Sequence, residues 1–252
     1  MLDRLAASGL HGIKLKLDDG IRLSRADGVH LFECPDLLAV GWLANRERER
    51  RHGAHTFFNH NLRLEATNVC VASCLFCSFA RLQTGDAGAY TMSLEQAWQK
   101  LRDRSDQALT EVHVVNGLHP DLPFDYYTKL LKGFKDIRSD IHLKCFTAVE
   151  IAFFADLYRK TDEQVLLELM DAGLDSLPGG GAEVFSERVR QKICHDKCGT
   201  TRWLGIHATA HRLGMKSNVT MLYGHIETVE ERVDHMLRAR ALQDETGGFQ
   251  AF

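Results

Sequence analysis

Three cysteines at a fixed spacing are the residues of this chain best suited to chemistry. In the string NVCVASCLFCSFAR, Cys70, Cys74 and Cys77 lie within eight residues of one another. With 7 cysteines in 252 residues, this spacing is expected by chance only about 0.005 times in such a chain. Three thiolates on one tight loop can each bind one iron of a four-iron cluster, which leaves the fourth iron open for a substrate or cofactor.

Zinc is the competing metal at these cysteines. Structural zinc sites usually take their ligands as two separated pairs, spaced as C-x₂₋₄-C or H-x₃₋₅-H. His113 and His119 are too isolated in the sequence to complete such a set. The spacing therefore favours an iron–sulfur cluster and leaves zinc as the alternative.

The other four cysteines are interpreted as structural. Cys34 and Cys145 lie in an apolar stretch and a predicted strand, where a free cysteine is usually a buried thiol. Cys194 and Cys198 form a CxxxC pair around His195, but no third partner is nearby. We interpret that pair as incidental rather than as a second metal site.

The composition of the chain argues against nucleic-acid and membrane partners and against secretion. The chain holds 31 Lys and Arg against 34 Asp and Glu, whereas a nucleic-acid partner favours a basic face. No apolar run approaches the roughly 18 residues of a membrane span, and the opening MLDRLAASGL lacks the apolar core of a signal peptide. We expect a cytoplasmic protein without nucleic-acid or membrane partners, whose cysteines are thiols or metal ligands.

The cysteine loop follows the first strand of a repeated pattern. From about residue 61, short segments rich in β-branched residues alternate with polar or glycine-rich loops and amphipathic helices, which is typical of parallel β/α units. The pattern predicts an α/β fold, a partial (β/α) TIM barrel. The predicted strands cover residues 62–69, 111–116, 141–148, 174–177, 217–223 and 249–252.

Local signals mark the ends of the helices between these strands. Ser93, Thr161 and Thr228 each open an S/T-x-x-E/Q box, in which two side chains satisfy free backbone N–H groups reciprocally. Gly173 and Gly214 stand where a left-handed residue ends a helix. We therefore expect helices to begin and end at these positions.

Residues 1–60 contain no convincing strand and are predicted to form an N-terminal helical extension. The segment 36–51 has an apolar first half followed by NRERERR, whose interleaved glutamates favour a solvated helix face over a phosphate site. The core barrel is assigned to 61–252. A full barrel takes roughly 250 residues, so we expect this core to be incomplete at its C-terminal side, inside the sixth strand at GGFQAF.

The pattern CxxxCxxC, with Phe76 just before the third cysteine, resembles the radical S-adenosylmethionine (SAM) superfamily. The resemblance implies a [4Fe–4S] cluster held by Cys70, Cys74 and Cys77, whose open iron binds the amino and carboxylate groups of SAM. In that superfamily an electron from the reduced cluster cleaves the S–C5′ bond and gives a 5′-deoxyadenosyl radical. It also implies an external electron donor such as flavodoxin or ferredoxin, while the protein positions the reactants and excludes water and oxygen.

Further site residues are expected at the carboxyl ends of the strands, where β/α barrels carry their active sites. Asn116, Gly117, Leu118 and His119 follow the second strand, where the superfamily has a Gly-Gly-Glu-like segment for the methionine amino group. The usual glutamate is absent, but backbone carbonyls can accept from an ammonium group equally well. Glu150 follows the third strand as a candidate catalytic carboxylate, with a surface salt bridge as the alternative.

The string SLPGGGAEVF follows the fourth strand. Gly179, Gly180 and Gly181 leave backbone N–H groups unobstructed in front of a helix, although a triple glycine by itself is only a turn. At this position it resembles the superfamily segment that meets the ribose and carboxylate of the cofactor. The resemblance makes Glu183 a candidate for the ribose hydroxyls.

The string MLYGHIET follows the fifth strand and resembles the superfamily segment whose main chain contacts adenine. Tyr223, Gly224 and His225 are the candidates for that contact. His225 is also a candidate catalytic residue, and a helix-capping or core histidine is the alternative.

Longer strings resemble the aminofutalosine synthase (aminodeoxyfutalosine synthase) family of the futalosine route to menaquinone, from about residue 30 to the end. They are TNVCVASCLFCSFARLQTGDAGAYTMS, HVVNGLHPDLPFDYY, CFTAVEIAFFADLY, LMDAGLDSLPGGGAE, KICHDK and MLYGHIET. The resemblance implies a transferase that adds the 5′-deoxyadenosyl radical to the enol ether of 3-[(1-carboxyvinyl)oxy]benzoate. The products are 6-amino-6-deoxyfutalosine, methionine and bicarbonate, so that SAM is a co-substrate.

Aromatic side chains fit such an addition, because a primary carbon radical needs a dry apolar pocket. Phe76, Phe79 and Phe146 are predicted to lie next to the barrel mouth. Three alternatives stay open at this point. They are a cyclic dehypoxanthine futalosine synthase, a deazaflavin synthase component and a non-catalytic iron–sulfur fragment.

Overall fold

Six parallel strands form one open sheet in the order of the sequence, with β1 and β6 at its edges. The computed structural model describes all residues from 1 to 252. The strands are β1 Asn61–Leu64, β2 Glu111–Val114, β3 His142–Cys145, β4 Ser176–Leu177, β5 Lys216–Asn218 and β6 Phe249–Ala251. The predicted α/β partial barrel is therefore confirmed, as a sheet that does not close.

The chain contains eleven helices. They are α1 Leu2–Ala7, α2 His11–Asp18, α3 Arg25–Glu33, α4 Leu37–His52, α5 Leu94–Arg102, α6 Phe124–Ile137, α7 Ala148–Tyr158, α8 Asp162–Asp171, α9 Glu187–Ile193, α10 Thr200–Arg212 and α11 Val229–Thr246. None of them combines the length and the apolar character that crossing a membrane requires.

The strands are shorter than the sequence predicted, mainly at their carboxyl ends. The first ends at Leu64 instead of residue 69, and the fifth at Asn218 instead of residue 223. The apolar residues beyond Leu64 remain buried, but their backbone leaves the ladder and bonds to loops: Ala66 N donates to Asn116 Oδ1 at 2.7 Å. Burial of β-branched residues predicts a strand whether or not the ladder continues, so the pattern overestimated the length.

The two faces of the sheet differ in chemistry. On one face, Leu62 and its register partner Val112 are buried in the main core beneath the helices. On the other face, Arg63, His113 and Lys144 are successive register partners and form a polar row across three strands. The helix-covered face thus stabilises the fold, and the polar face opens into the interior of the partial barrel.

Local helix signals predicted the helix ends well. Complete capping boxes open α5 at Ser93, α8 at Thr161 and α11 at Thr228, as expected. Gly173 and Gly214 have φ values of 108° and 87°, in the left-handed region after α8 and α10. These signals depend on three or four consecutive residues, which is why the sequence alone determined them.

The four helices before β1 enclose a small core of their own around Leu5 and Leu43. Helix α4 begins after Asp36, whose carboxylate accepts from Ala39 N at 3.1 Å. Its NRERERR face is solvated, because Glu47 pairs with arginines of its own helix. Helix α3 lies against α11, and the ion pair of Arg25 with Asp234 contributes to this contact.

Candidate cofactor site at the carboxyl ends of the strands

A cavity of about 390 Å³ lies at the carboxyl ends of strands β1 to β4. All three cysteines of the CxxxCxxC string line it, as the sequence predicted for a shared site. The cavity is lined by Arg63, Glu65, Cys70, Ala72, Cys74, Phe76, Cys77, Phe79, Val115, Asn116, Leu118, Thr147, Val149, Glu150, Gly180, Gly181 and Lys197. Four consecutive β/α loops therefore supply one enclosure.

Backbone hydrogen bonds hold the cysteine loop against neighbouring segments. Cys70 N donates to the carbonyl of Arg81 at 2.8 Å, and Leu75 N donates to the carbonyl of Ile193 at 3.0 Å. Ser73 donates to Asp196 through both its backbone N–H and its hydroxyl, each at 2.8 Å. These bonds fix the loop to the segment after α9, which lies more than a hundred residues later in the chain.

The three thiols are free and differ in exposure, with Cys70 and Cys74 half-buried and Cys77 exposed. Burial raises the pKa of the Cys74 thiol to about 11, against the opposing effect of the Lys197 charge. No three His, Cys, Asp or Glu side chains converge as the ligands of a single ion do. A cubane does not require convergence, because each thiolate binds a different iron. The cysteines therefore fit a cluster better than one zinc ion.

Asn116 lines the cavity and carries an unused hydrogen-bond donor. Its Oδ1 accepts from Ala66 N, while its buried Nδ2 has no partner in the structure. A buried amide donor without a partner costs about 1–3 kcal/mol, so a carboxylate or hydroxyl bound in the cavity would relieve this cost. An organic cofactor with polar groups fits this wall.

The other residues after β2 form the support behind Asn116. A Cβ at Gly117 would lie 2.2 Å from the carbonyl oxygen of Val69, so only glycine allows this close approach. Leu118 lines the cavity. His119 does not: it is buried, burial lowers its pKa, and its Nδ1 accepts from Asp121 N at 3.1 Å.

Glu150 is a buried brace between two loops. Its carboxylate accepts from Asn116 N at 2.9 Å and from Thr147 N at 2.7 Å, and it completes the capping box that opens α7. Burial raises its pKa to about 7, although these hydrogen bonds oppose the shift. The alternative of a surface salt bridge is wrong, because the residue is 1% exposed and no cation pairs with its carboxylate.

The glycine loop after β4 approaches two neighbouring segments closely. A Cβ at Gly179 would lie 2.7 Å from the backbone of Val219, and one at Gly181 would lie 2.3 Å from Val149 Cγ2. Gly181 also has φ +81°. Gly180 and Gly181 line the cavity, whereas Gly179 lies behind it.

Glu183 bonds to a lysine that the sequence interpretation did not single out. Lys197 Nζ lies 2.7 Å from Glu183 Oε1 and 5.1 Å from the ring centroid of Phe76. Burial opposes the charge of Lys197, but the carboxylate of Glu183 contributes to a net rise of its pKa. Lys197 lines the cavity and Glu183 does not. The role of Glu183 at a ribose stays a prediction.

The residues predicted to contact adenine lie outside this cavity. Tyr223, Gly224 and His225 are exposed on the loop after β5. The His225 ring is held locally, with Nε2 3.0 Å from the carbonyl oxygen of Leu222 and Nδ1 3.0 Å from Glu227. This geometry favours the capping alternative, and the adenine contact stays a prediction.

The aromatic residues divide between the cavity and the core. Phe76 and Phe79 line the cavity, as expected. The placement of Phe146 was wrong. It is fully buried at φ 59°, and its ring packs edge-on against Tyr127 and Phe154 with centroids 5.6 Å away in both cases. Its position after β3 resembles a mouth position in sequence, but the positive φ turns the side chain into the core.

Several residues of the cavity wall besides Lys197 were not predicted from the sequence. The strand alternation places Arg63 on the inner face, and Glu65 bonds to it at 2.5 Å. Alternation along β1 could have identified both. Cys194 is buried with Val189 and Ile193 in a small cluster against which Cys74 packs, so it lies nearer the cysteine loop than its sequence position indicated.

Comparisons with known proteins identify the superfamily of this chain. A sequence profile of the radical SAM superfamily matches residues 64–239. The chain is 47% identical over 237 residues to an aminodeoxyfutalosine synthase of Thermus thermophilus, covering 94% of this chain and 63% of that protein. It is 48% identical over 240 residues to an aminodeoxyfutalosine synthase of Streptomyces coelicolor, covering 95% and 62%. The chain thus spans less than two thirds of either relative.

Among solved structures, a methylornithine synthase matches with a TM-score of 0.71. The match covers 91% of this chain and 64% of that one at 15% sequence identity. At this identity the likeness concerns the fold alone, a partial barrel of parallel β/α units.

Proposed function

This chain belongs to the radical SAM superfamily, and we propose that it carries the catalytic barrel of an aminodeoxyfutalosine synthase. The proposed reaction joins the 5′-deoxyadenosyl group of SAM to the enol ether of 3-[(1-carboxyvinyl)oxy]benzoate. It gives 6-amino-6-deoxyfutalosine, methionine and bicarbonate. One observation carries the proposal. Cys70, Cys74 and Cys77 share a single cavity with the donor of Asn116 and the glycine loop. The identities of 47% and 48% to two such synthases support the choice of reaction.

The cysteines and the loop after β2 have distinct roles in this proposal. Cys70, Cys74 and Cys77 hold a [4Fe–4S] cluster, which together with SAM supplies a 5′-deoxyadenosyl radical. Asn116 Nδ2 donates to a polar group of the cofactor, which satisfies the buried amide. Glu150 keeps the backbone of Asn116 in place through its bond to the N–H.

The remaining walls serve positioning and exclusion of water. Gly180 and Gly181 expose backbone to the cavity without a side chain in between. An apolar part of the wall keeps water from a reactive carbon centre, and it consists of Phe76, Phe79 and Val149. Arg63 brings a cation to the β1 side of the cavity, and the proposed substrate carries two carboxylates.

The proposal includes an external electron donor, such as flavodoxin or ferredoxin, and a cytoplasmic location. The exposure of Cys77 supports an external donor, because a cluster bound there lies near the surface of the chain. A soluble one-electron donor can reach such a cluster.

The proposed reaction is tested with anaerobically reconstituted protein, a chemical reductant, SAM labelled in its adenosine carbons, and the enol-ether benzoate. We expect the label in a product joined covalently to the aromatic ring. Free 5′-deoxyadenosine without that product indicates hydrogen abstraction, as in cyclic dehypoxanthine futalosine synthases. Intact SAM after reduction indicates a non-catalytic cluster protein.

A matched pair of cysteine variants shows whether the turnover depends on the proposed cluster. C74S removes a proposed iron ligand, whereas C34A changes a buried thiol in the core of the N-terminal helices. We expect C34A to keep the product and C74S to lose it. Equal activities of the two variants contradict the assignment of the cysteines.

A further inference from the structure

Lys197 places a buried cation against the cysteine loop. Its side chain is only 16% exposed, and it lines the same cavity as Cys70, Cys74 and Cys77. Its Nζ lies over the Phe76 ring, and Glu183 at 2.7 Å is its one carboxylate partner. Because this side chain is largely covered by protein, its charge acts on the nearby cysteine sulfurs with less screening than a charge on the surface has.

Arg190 adds a second buried cation, which has no carboxylate partner. It is 2% exposed, and its guanidinium donates only to backbone carbonyls, those of Gly181, Ala182 and Cys198. Arg190 does not line the cysteine cavity, so Lys197 is the cation that reaches it from this wall, and Glu183 is the carboxylate paired with Lys197.

A buried cation is stabilised by an anion close to it. The thiolate-bound cluster of the proposed function is such an anion, and it becomes more negative by one charge when it is reduced. We propose that Lys197 raises the reduction potential of the cluster held by Cys70, Cys74 and Cys77. In this step one electron enters from an external low-potential donor, and no bond forms or breaks. The inference rests on the cluster of the proposed function.

The charge balance of the wall allows a sharp test with four variants. K197M removes the cation and K197R keeps it, while E183Q removes the opposing carboxylate and K197M/E183Q removes both. K192M is the matched control, because Lys192 lies on the same segment but is exposed and does not line the cavity. The midpoint potential of the reconstituted cluster is measured without SAM, by a redox titration followed by electron paramagnetic resonance.

We expect K197M to shift the midpoint potential to a more negative value and E183Q to shift it to a more positive one. K197M/E183Q returns towards the wild-type potential, since the two charge changes cancel. K197R and K192M stay near wild type. Opposite shifts for Lys197 and Glu183 distinguish a charge effect from a loss of packing, which shifts both variants alike.

Unchanged potentials in K197M and E183Q, with full iron content, overturn the inference and leave the proposed function standing. The same holds if K197M weakens only the binding of SAM, because Lys197 then serves the cofactor's carboxylate. If K197M does not assemble a cluster, E183Q still tests the inference: a positive shift of its midpoint potential supports the inference, and an unchanged potential overturns it. A wild-type chain that binds no iron overturns the proposed function itself.

Discussion

Two buried glutamates at the same end of the sheet brace two loops, yet their environments shift their pKa values in opposite directions. Burial raises the pKa of Glu150 to about 7, because the hydrogen bonds from two backbone N–H groups and a hydroxyl, together with the more distant charge of Lys197, do not offset the loss of water. Burial also acts on Glu227, but bonds from Gly224 N, His225 N and Arg232 outweigh it and lower the pKa to about 2.

The difference between the two braces follows the difference between the two regions. Glu150 belongs to the loops that enclose the cysteine cavity, where a counter-ion is absent from its carboxylate. Glu227 belongs to the exposed loop after β5, and its carboxylate pairs with Arg232 of helix α11. A loop that follows the carboxyl end of a strand therefore does not always line the cavity. Contacts with neighbouring loops must also hold it over the cavity.

The largest difference between the two regions is expected in the iron content of the variants C74S and H225A. C74S removes a proposed iron ligand, so we expect it to lose nearly all bound iron and its visible absorbance after reconstitution. H225A removes a ring that bonds only within its own loop, and we expect wild-type iron content. Iron loss in H225A contradicts the separation, since the loop after β5 then supports the cluster site.

Alanine substitutions of Glu150 and Glu227 compare how much each carboxylate contributes to the free energy of unfolding. E150A leaves the N–H groups of Asn116 and Thr147 buried without an acceptor, so we expect a loss of about 4 kcal/mol in the free energy of unfolding. E227A frees an arginine and N–H groups on an exposed loop, and we expect a loss of about 1 kcal/mol. Urea denaturation measures both variants.

E150Q is the control for E150A, because the amide keeps one acceptor oxygen and the shape of the brace. We expect it to recover part of the lost stability. If E227A costs as much as E150A, the two loops are equally integral to the fold and the contrast between them is wrong.

Two glycines at positive φ offer a matched comparison of strain. G181A adds a Cβ 2.3 Å from Val149 Cγ2 at φ +81°, so strain and overpacking together are expected to cost about 3 kcal/mol. G224A has φ +92° but no atom within 4 Å of its Cβ, so we expect only the backbone cost of about 1 kcal/mol. Thermal and urea unfolding of both variants check the difference.

G181A carries a second readout, the affinity for SAM, because Gly181 lines the cavity and Gly224 does not. We expect weaker SAM binding in G181A and unchanged binding in G224A. Equal effects of the two substitutions on stability and binding would place both loops in one functional class.

The pH dependence of stability is expected to have opposite signs at the two glutamates. The folded pKa of Glu150 lies above its unfolded value of 4.5, so the native chain binds the extra proton between pH 4.5 and about 7. Its contribution to stability is present below pH 4.5 and is lost as the pH rises to about 7, by about 3 kcal/mol. Glu227 has a folded pKa of about 2, so its contribution is present above pH 4.5 and is lost as the pH falls to about 2.

Stability curves of the wild type, E150Q and E227Q between pH 3 and 8 measure these contributions. We expect the advantage of the wild type over E150Q to fall as the pH rises through 4.5 to 7. The advantage over E227Q is expected to fall instead as the pH drops below 4.5. A wild-type advantage over E150Q that grows with pH contradicts the buried, uncompensated carboxylate.

The sequence predicted those parts of the site that depend on neighbours in the chain. The spacing of Cys70, Cys74 and Cys77 predicted a functional cysteine loop after β1, and both this loop and the glycine loop after β4 lie where the sequence predicted. The capping box of Thr147 with Glu150 has the same local spacing as those that were predicted, so it was available to the sequence interpretation and was missed.

Lys197, Phe146 and His225 show what the sequence could not determine. Lys197 reaches the cavity because the segment after α9 bonds to the cysteine loop, a contact between residues 123 apart. Phe146 turned into the core at a positive φ, and His225 stayed outside with its own loop. Each outcome depends on packing between distant segments rather than on the identity of the residue.

By itself, therefore, the sequence determined the order of the β/α units, most helix ends and the three cysteines, because periodicity, caps and ligand spacing are short-range properties. Only the tertiary structure decided which loops enclose the cavity, that Glu150 is a brace without a cation, and that Lys197 faces the cysteines. The physical reason is that burial and charge pairing depend on which distant segments meet, and these set the pKa, the strain and the field at the site.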